Sequence, residues 1–95
     1  MSEVKSEAVA ARHILVEQEY EAQDLVKKLS DGSTFEDLAK KFSKCPSGQR
    51  GGDLGEFKRG RMVPAFEEAA FDLSVGQTSA PVRTRFGFHL IQRYK

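Results

Sequence analysis

The sequence has no tryptophan, one cysteine and three prolines, and its acids and bases nearly cancel, leaving a formal net charge of +1. Each shortage excludes something. The lone Cys45 cannot close an internal disulfide, so a reducing cytosol is the expected compartment. A domain cut from an exported protein would carry the same single thiol. Charges of both signs are mixed along the chain, without the basic stripe of a nucleic-acid binder, so no nucleic-acid partner is expected. No apolar run approaches the ~20 residues of a membrane span. The opening MSEVKSEAVAARHILV is polar first, with no basic region ahead of an apolar core. Neither a membrane partner nor a signal peptide is expected. The 95 residues suffice for one domain with one modest core.

What is present is periodic. After a short lead-in over residues 1–10, RHILVE alternates as a strand, with His13 and Leu15 on one face and Ile14 and Val16 on the other. Ala22, Leu25, Val26 and Leu29 form the apolar stripe of a helix stopped by Gly32. A second helix carries Phe35, Leu38, Ala39 and Phe42, and Ser33 followed by Glu36 has the spacing of a capping box. LGEF reads as a very short strand, and Pro64 fits the first turn of a third helix with Phe66, Ala69, Ala70 and Leu73 on one side. SAPVRT and FHLIQRY read as strands joined by a tight turn through Phe86 and Gly87, with Pro81 placing the first at a sheet edge. The order predicts an α+β domain with a small, mainly antiparallel sheet.

Between the second helix and LGEF the periodicity is lost. KCPSGQRGGDLGEF holds Cys45 and four of the eight glycines. It lacks the Gly-Lys-Ser/Thr ending of a phosphate loop and is no dinucleotide fingerprint. It reads either as a floppy surface loop or as a shaped one. Leu54, Phe57 and Met62 within or just beyond it favour the shaped loop. His13 and His89 sit in the first and last strands, which often pair in small sheets. They are either satisfied core histidines or a functional pair. Cys45 is an inert thiol, a nucleophile served by a histidine, or a metal ligand. The metal reading is the weakest, for no Cys/His pair has ligand spacing. Leu54, Met62 and Phe66 are core residues or the wall of an apolar cup.

Taken together, RHILV, CPSGQRGGDLGEFKRGRMVPAFEEAAF and TRFGFHLIQ resemble the parvulin family of peptidyl-prolyl cis/trans isomerases, over residues 11–95. The resemblance implies a four-stranded antiparallel sheet surrounded by helices. It implies that His13 and His89 are paired at the floor of the site, with Thr84 in their hydrogen-bond network. It places Cys45 where many members carry cysteine and others aspartate. It makes Leu54, Met62 and Phe66 the proline pocket, with Phe57 packing nearby. The implied reaction needs no cofactor, no metal and no covalent step, and its partners are proline-containing peptides and unfolded or folding proteins. A monomer is expected. The alternative is a binding module, a chaperone or scaffold holding proline segments with incidental turnover.

One departure bears on specificity. The phosphate-directed branch of the family inserts a Lys- and Arg-rich segment after the first strand. Here that place is held by VEQEYEAQ, short and acidic. Preference for phosphorylated residues before proline is therefore not expected, and an uncharged apolar residue is. Lys44, Arg50, Arg59 and Arg61 lie elsewhere along the chain, where they could border the site.

Overall fold

The computed structural model describes residues 8–95. Of the expected lead-in, residues 1–7 lie outside the described residues, and Ala8–Ala10 already belong to strand β1, Ala8–Val16. The strand therefore starts four residues before RHILVE, because Val9 and Ala11 continue the face of His13. Alanine, with its weak strand preference, hid this extension.

Helix α1 (Glu19–Ser30) and helix α2 (Phe35–Phe42) follow, then a 3-10 turn at Pro46–Arg50 and strand β2 (Asp53–Lys58). Helix α3 (Pro64–Asp72), strand β3 (Val82–Thr84) and strand β4 (Gly87–Arg93) complete the chain. The four strands form one antiparallel sheet in the order β2-β1-β4-β3. First and last strands thus pair at its centre, and the expected α+β fold is the one observed. β3 is an edge strand directly after Pro81, where a missing N–H costs no ladder bond. Arg85 and Phe86 make the β3–β4 turn, and Gly87 opens β4.

Alternation along β1 and β4 gives the sheet two apolar faces. Ile14, Val16, Leu90 and the partly buried Phe88 face α1 and α2, where they pack with Ala22, Leu25, Phe35, Leu38 and Ala39. Val9, Ala11 and Ile91 face α3 and join Phe57, Phe66 and Ala70. His13, His89 and Leu15 share the α3 face by the same period of two.

Three local expectations need correction. The cap of α2 is Thr34, not Ser33: its Oγ1 accepts the Asp37 N–H at 3.2 Å. The capping carboxylate absent there serves α1, where Glu21 accepts the N–H of Gln18 at 2.9 Å and of Glu17 at 3.2 Å. Two residues of the predicted apolar stripes, Val26 and Phe42, are exposed and stand outside the core that α1 and α2 form with the sheet.

Candidate active site

The irregular segment is a shaped loop. Cys45 leads into the 3-10 turn, and the N–H groups of Gly48, Gly51 and Gly52 bond back to the carbonyls of Cys45, Gly48 and Ser47 at 2.8–3.0 Å. Gly52 is where glycine is obligatory. Its φ is +85°, and a Cβ there would stand 2.3 Å from the His13 carbonyl oxygen. This contact ties the loop to β1, since the His13 N–H donates to the Gly52 carbonyl at 2.9 Å. A few residues earlier, Lys44 N–H donates to the Leu15 carbonyl at 2.7 Å, and Leu15 N–H donates to Ser43 Oγ at 3.1 Å. The loop is thereby sewn along the end of β1, with Cys45 on one side and Leu54 on the other.

A cavity of about 390 Å³ opens between this loop and the start of α3. His13, Cys45, Leu54, Met62 and Phe66 line it, five of the eight residues singled out from sequence. Leu15, Val63, Arg61 and Phe86 line it as well. Leu15 was legible as the residue sharing the face of His13. Phe86 was read only as a turn residue. Of the four bases that could border the site, Arg61 lines the cavity, because it precedes Met62 at the entry to α3. The remaining three candidates stand behind the wall. Phe57 is buried and packs its ring 6.2 Å from that of Phe66. It belongs to the core supporting the pocket and packs beside the wall without lining the cavity. His89 and Thr84 lie behind His13.

The two imidazoles are buried and meet Nδ1 to Nδ1 at 3.0 Å, and His89 Nε2 lies 2.8 Å from Thr84 Oγ1. Thr84 Oγ1 also accepts the Phe86 N–H at 3.1 Å, which anchors the network to the β3–β4 turn. Whichever ring carries the shared Nδ1 proton, the other accepts, so a neutral pair satisfies both nitrogens. The edge of Phe66 closes the arrangement, with its ring centroid 5.5 Å from that of His13 and 5.2 Å from that of His89, each nearly perpendicular. Among the described residues, His13 Nε2 is the one buried side-chain nitrogen or oxygen without a hydrogen-bond partner. Burial, followed by repulsion from a charged His89, pushes the His13 pKa down to about 4, and burial lowers that of His89. The pair is neutral at physiological pH.

Cys45 is partly buried and its sulfur accepts the Ser47 hydroxyl at 3.4 Å. Its hydrogen bond is with Ser47 and not with an imidazole, so no base is positioned to activate it. Among the described residues, no group of three His, Cys, Asp or Glu side chains is arranged to hold a metal ion.

Comparison with known proteins gives this geometry a context. The sequence profile of the rotamase family, described as the PPIC-type PPIase domain, matches residues 4–95. The chain belongs to that family. It is a parvulin-type peptidyl-prolyl cis/trans isomerase domain. It is 49% identical over 87 residues to the foldase protein PrsA of Caldanaerobacter subterraneus subsp. tengcongensis, covering 90% of this chain and 28% of that protein. Against PrsA of Bacillus subtilis it is 46% identical over 86 residues, covering 90% and 30%. The domain thus spans less than a third of the length of these curated relatives. The crystal structure of PrsA from Bacillus anthracis superposes with a TM-score of 0.91 at 46% identity, over 93% of this chain and 41% of that one. The parvulin NmPin of Nitrosopumilus maritimus superposes at 0.87 with 41% identity, over 97% of this chain and all of that one. The isomerase domain shares with these structures its sheet and three helices, and so the scaffold that holds the histidine pair and the apolar cavity.

Proposed function

We propose that the domain isomerises X-Pro bonds in the cavity between the Cys45 loop and α3, by binding the twisted amide and without covalent chemistry. The observation that carries this reading is the cavity itself: Leu54, Met62, Val63 and Phe66 form an apolar cup beside the buried histidine pair. Its volume of about 390 Å³ suits a small ligand or one residue and its flanks.

The barrier to rotation is the loss of amide resonance, about 18–20 kcal/mol for an ordinary peptide and the slow step in folding when proline is involved. As the bond twists, its carbonyl loses charge separation. Water stabilises the planar, polar ground state more than the twisted one, so an apolar cup that strips water from the carbonyl lowers the barrier. Phe66, Met62 and Leu54 grip the proline ring while the residue before it turns. His13 and Cys45 border the space into which the carbonyl swings. His89 and Thr84 are positioning residues that fix the His13 ring through the Nδ1 contact. No step requires Cys45 as a nucleophile.

The substrates proposed are proline-containing segments of unfolded or folding proteins, a reading supported by the relatives named foldase. We further propose action as a monomer, without nucleic acid or membrane, in the cytosol. The absence of a nucleic-acid partner rests on the mixed charge, that of a membrane partner on the lack of a long apolar run, and the cytosol on the single cysteine. The direct test is a protease-coupled isomerisation assay on X-Pro tetrapeptides. A wild-type rate no faster than solvent would refute the function, and one unchanged in folded Phe66→Ala would refute the site.

A further inference from the structure

On the opposite face of the sheet lies a second depression of about 520 Å³, between α1 and α2. Val16, Tyr20, Leu25 and Phe42 provide its apolar surface, and Glu21, Asp24, Lys41 and Lys44 its polar one. Its two aromatic rings are left uncovered by the fold, Tyr20 at 72% exposure and Phe42 at 41%. Asp24 is engaged with Lys28 at 3.2 Å, and Glu21 caps α1, whereas Lys41 and Lys44 have no ion-pair partner among the described residues.

The depression and the proline cavity lie back to back across the end of β1 and the segment bonded beside it. Leu15 lines the cavity and Val16 the depression, and Cys45 lines the cavity and Lys44 the depression. The hydrogen bond from Lys44 N–H to the Leu15 carbonyl makes this edge a single layer of backbone. A polypeptide substrate has to leave the proline cavity in both directions. An extended chain covers about 3.3–3.6 Å per residue, so on the order of four to six residues, about 15–20 Å, would carry it from one face of this layer to the other. Exposed aromatic side chains in a contiguous patch mark an interaction surface.

We propose that the α1–α2 depression is a second subsite for the client, seating an aromatic or leucine side chain a few residues from the isomerised proline. The subsite rests on the function proposed above and adds to it the partner chemistry: an extended, unfolded segment with an apolar residue at a set distance from proline. Free lysines at its rim favour a segment with an acidic residue beside that anchor.

The test compares three peptides with one X-Pro core: a tetrapeptide, and two longer versions carrying phenylalanine about five residues before or after the proline. Exchange NMR measures kcat/KM for each without a coupling protease. One longer peptide is expected to exceed the tetrapeptide by threefold or more. In Tyr20→Ala and in Phe42→Ala that ratio should return towards one. A ratio indifferent to both substitutions, or no gain from either longer peptide, overturns the subsite. Loss of turnover on every peptide would instead indict the proposed function, and the subsite would then be read from Kd and amide shifts. Binding of the longer peptide that is weakened by Tyr20→Ala supports it, and binding that is not refutes it. Sedimentation of the free domain gives the competing outcome: a dimer abolished by Tyr20→Ala would assign the depression to a second copy of the chain and overturn the proposal.

Discussion

Acidification should destabilise this domain as the pH falls below 6.5. The cause is His13, 5% exposed, whose folded-state pKa lies near 4 against an ordinary 6.5. The first proton added to the pair places a charge on a buried ring. If it lands on His13 Nε2, that atom has no acceptor among the described residues. A second would turn two N–H groups towards each other across the 3.0 Å Nδ1 contact. The unfolded chain has no such constraint and protonates near 6.5, so between the two pKa values it holds more protons than the fold. Stability is therefore full above pH 6.5 and falls as pH drops towards 4. The gap of roughly 2.5 pH units, at about 1.4 kcal/mol each, is worth about 3 kcal/mol in all, of which about 2 kcal/mol is gone by pH 5. At about 4–8 °C per kcal/mol for a domain of this size, the midpoint of thermal unfolding should fall by roughly 8–16 °C between pH 7 and 5. His89, shifted the same way, adds to the loss. Asp53, held below the ordinary 3.8 chiefly by the Tyr94 hydroxyl, loses its contribution only below that pH and stays outside the window. Urea titrations followed by circular dichroism at pH 7.5, 6.5, 5.5 and 5 would trace the curve, and His13→Gln should flatten it. Stability constant from pH 7.5 to 5, or an NMR titration placing the His13 ring at 6 or above, would refute the reasoning.

Other substitutions probe the remaining walls. Phe66→Ala removes a buried ring touching both imidazoles and should cost about 3–5 kcal/mol of stability, with kcat/KM reduced at least tenfold in protein shown to be folded by circular dichroism. Cys45→Asp should retain measurable isomerase activity, while maleimide modification of Cys45 should block the cavity; a covalent substrate adduct trapped on the thiol would contradict both. Gly52→Ala forces a Cβ against the His13 carbonyl at positive φ and should cost at least about 2 kcal/mol by chemical denaturation, with activity falling in parallel. Thr84→Val should leave His89 Nε2 unpaired at a cost of about 1–3 kcal/mol and should lower kcat more than it raises KM.

Much of this architecture is legible in the residues because one period decides it. Alternation in RHILV and FHLIQ puts His13, Leu15 and His89 on one face, and pairing of first and last strands then brings the imidazoles together. The apolar cup is legible as a cluster, since Leu54, Met62 and Phe66 flank one loop. Phe86 was not, because nothing local says that the β3–β4 turn converges on the same cavity. That Phe57 stands behind the pocket wall is not legible either, since spacing along a strand does not reveal which neighbour covers a ring. The shift of the α2 cap from Ser33 to Thr34 has a similar origin: both are capping residues, and tertiary packing of Phe35 selects the register. Tyr20 and Phe42 lie on opposite ends of two helices, and only their assembly shows that they border one depression.

The pairing of β1 with β4 has a mechanical consequence. Ala10 exchanges backbone hydrogen bonds with Lys95 and Tyr94, so the polypeptide enters and leaves the fold side by side. Tension applied through the two flanks would therefore act at one end of an antiparallel ladder and open it rung by rung. Ala11–Arg93 parts first, then Arg12–Gln92, then His13–Ile91. His13 sits on the third rung from the point of load and His89 on the fifth. Pulling on the flanks would dismantle the proline cavity before the helices on the far face were disturbed, so loss of the cavity would report tension ahead of global unfolding.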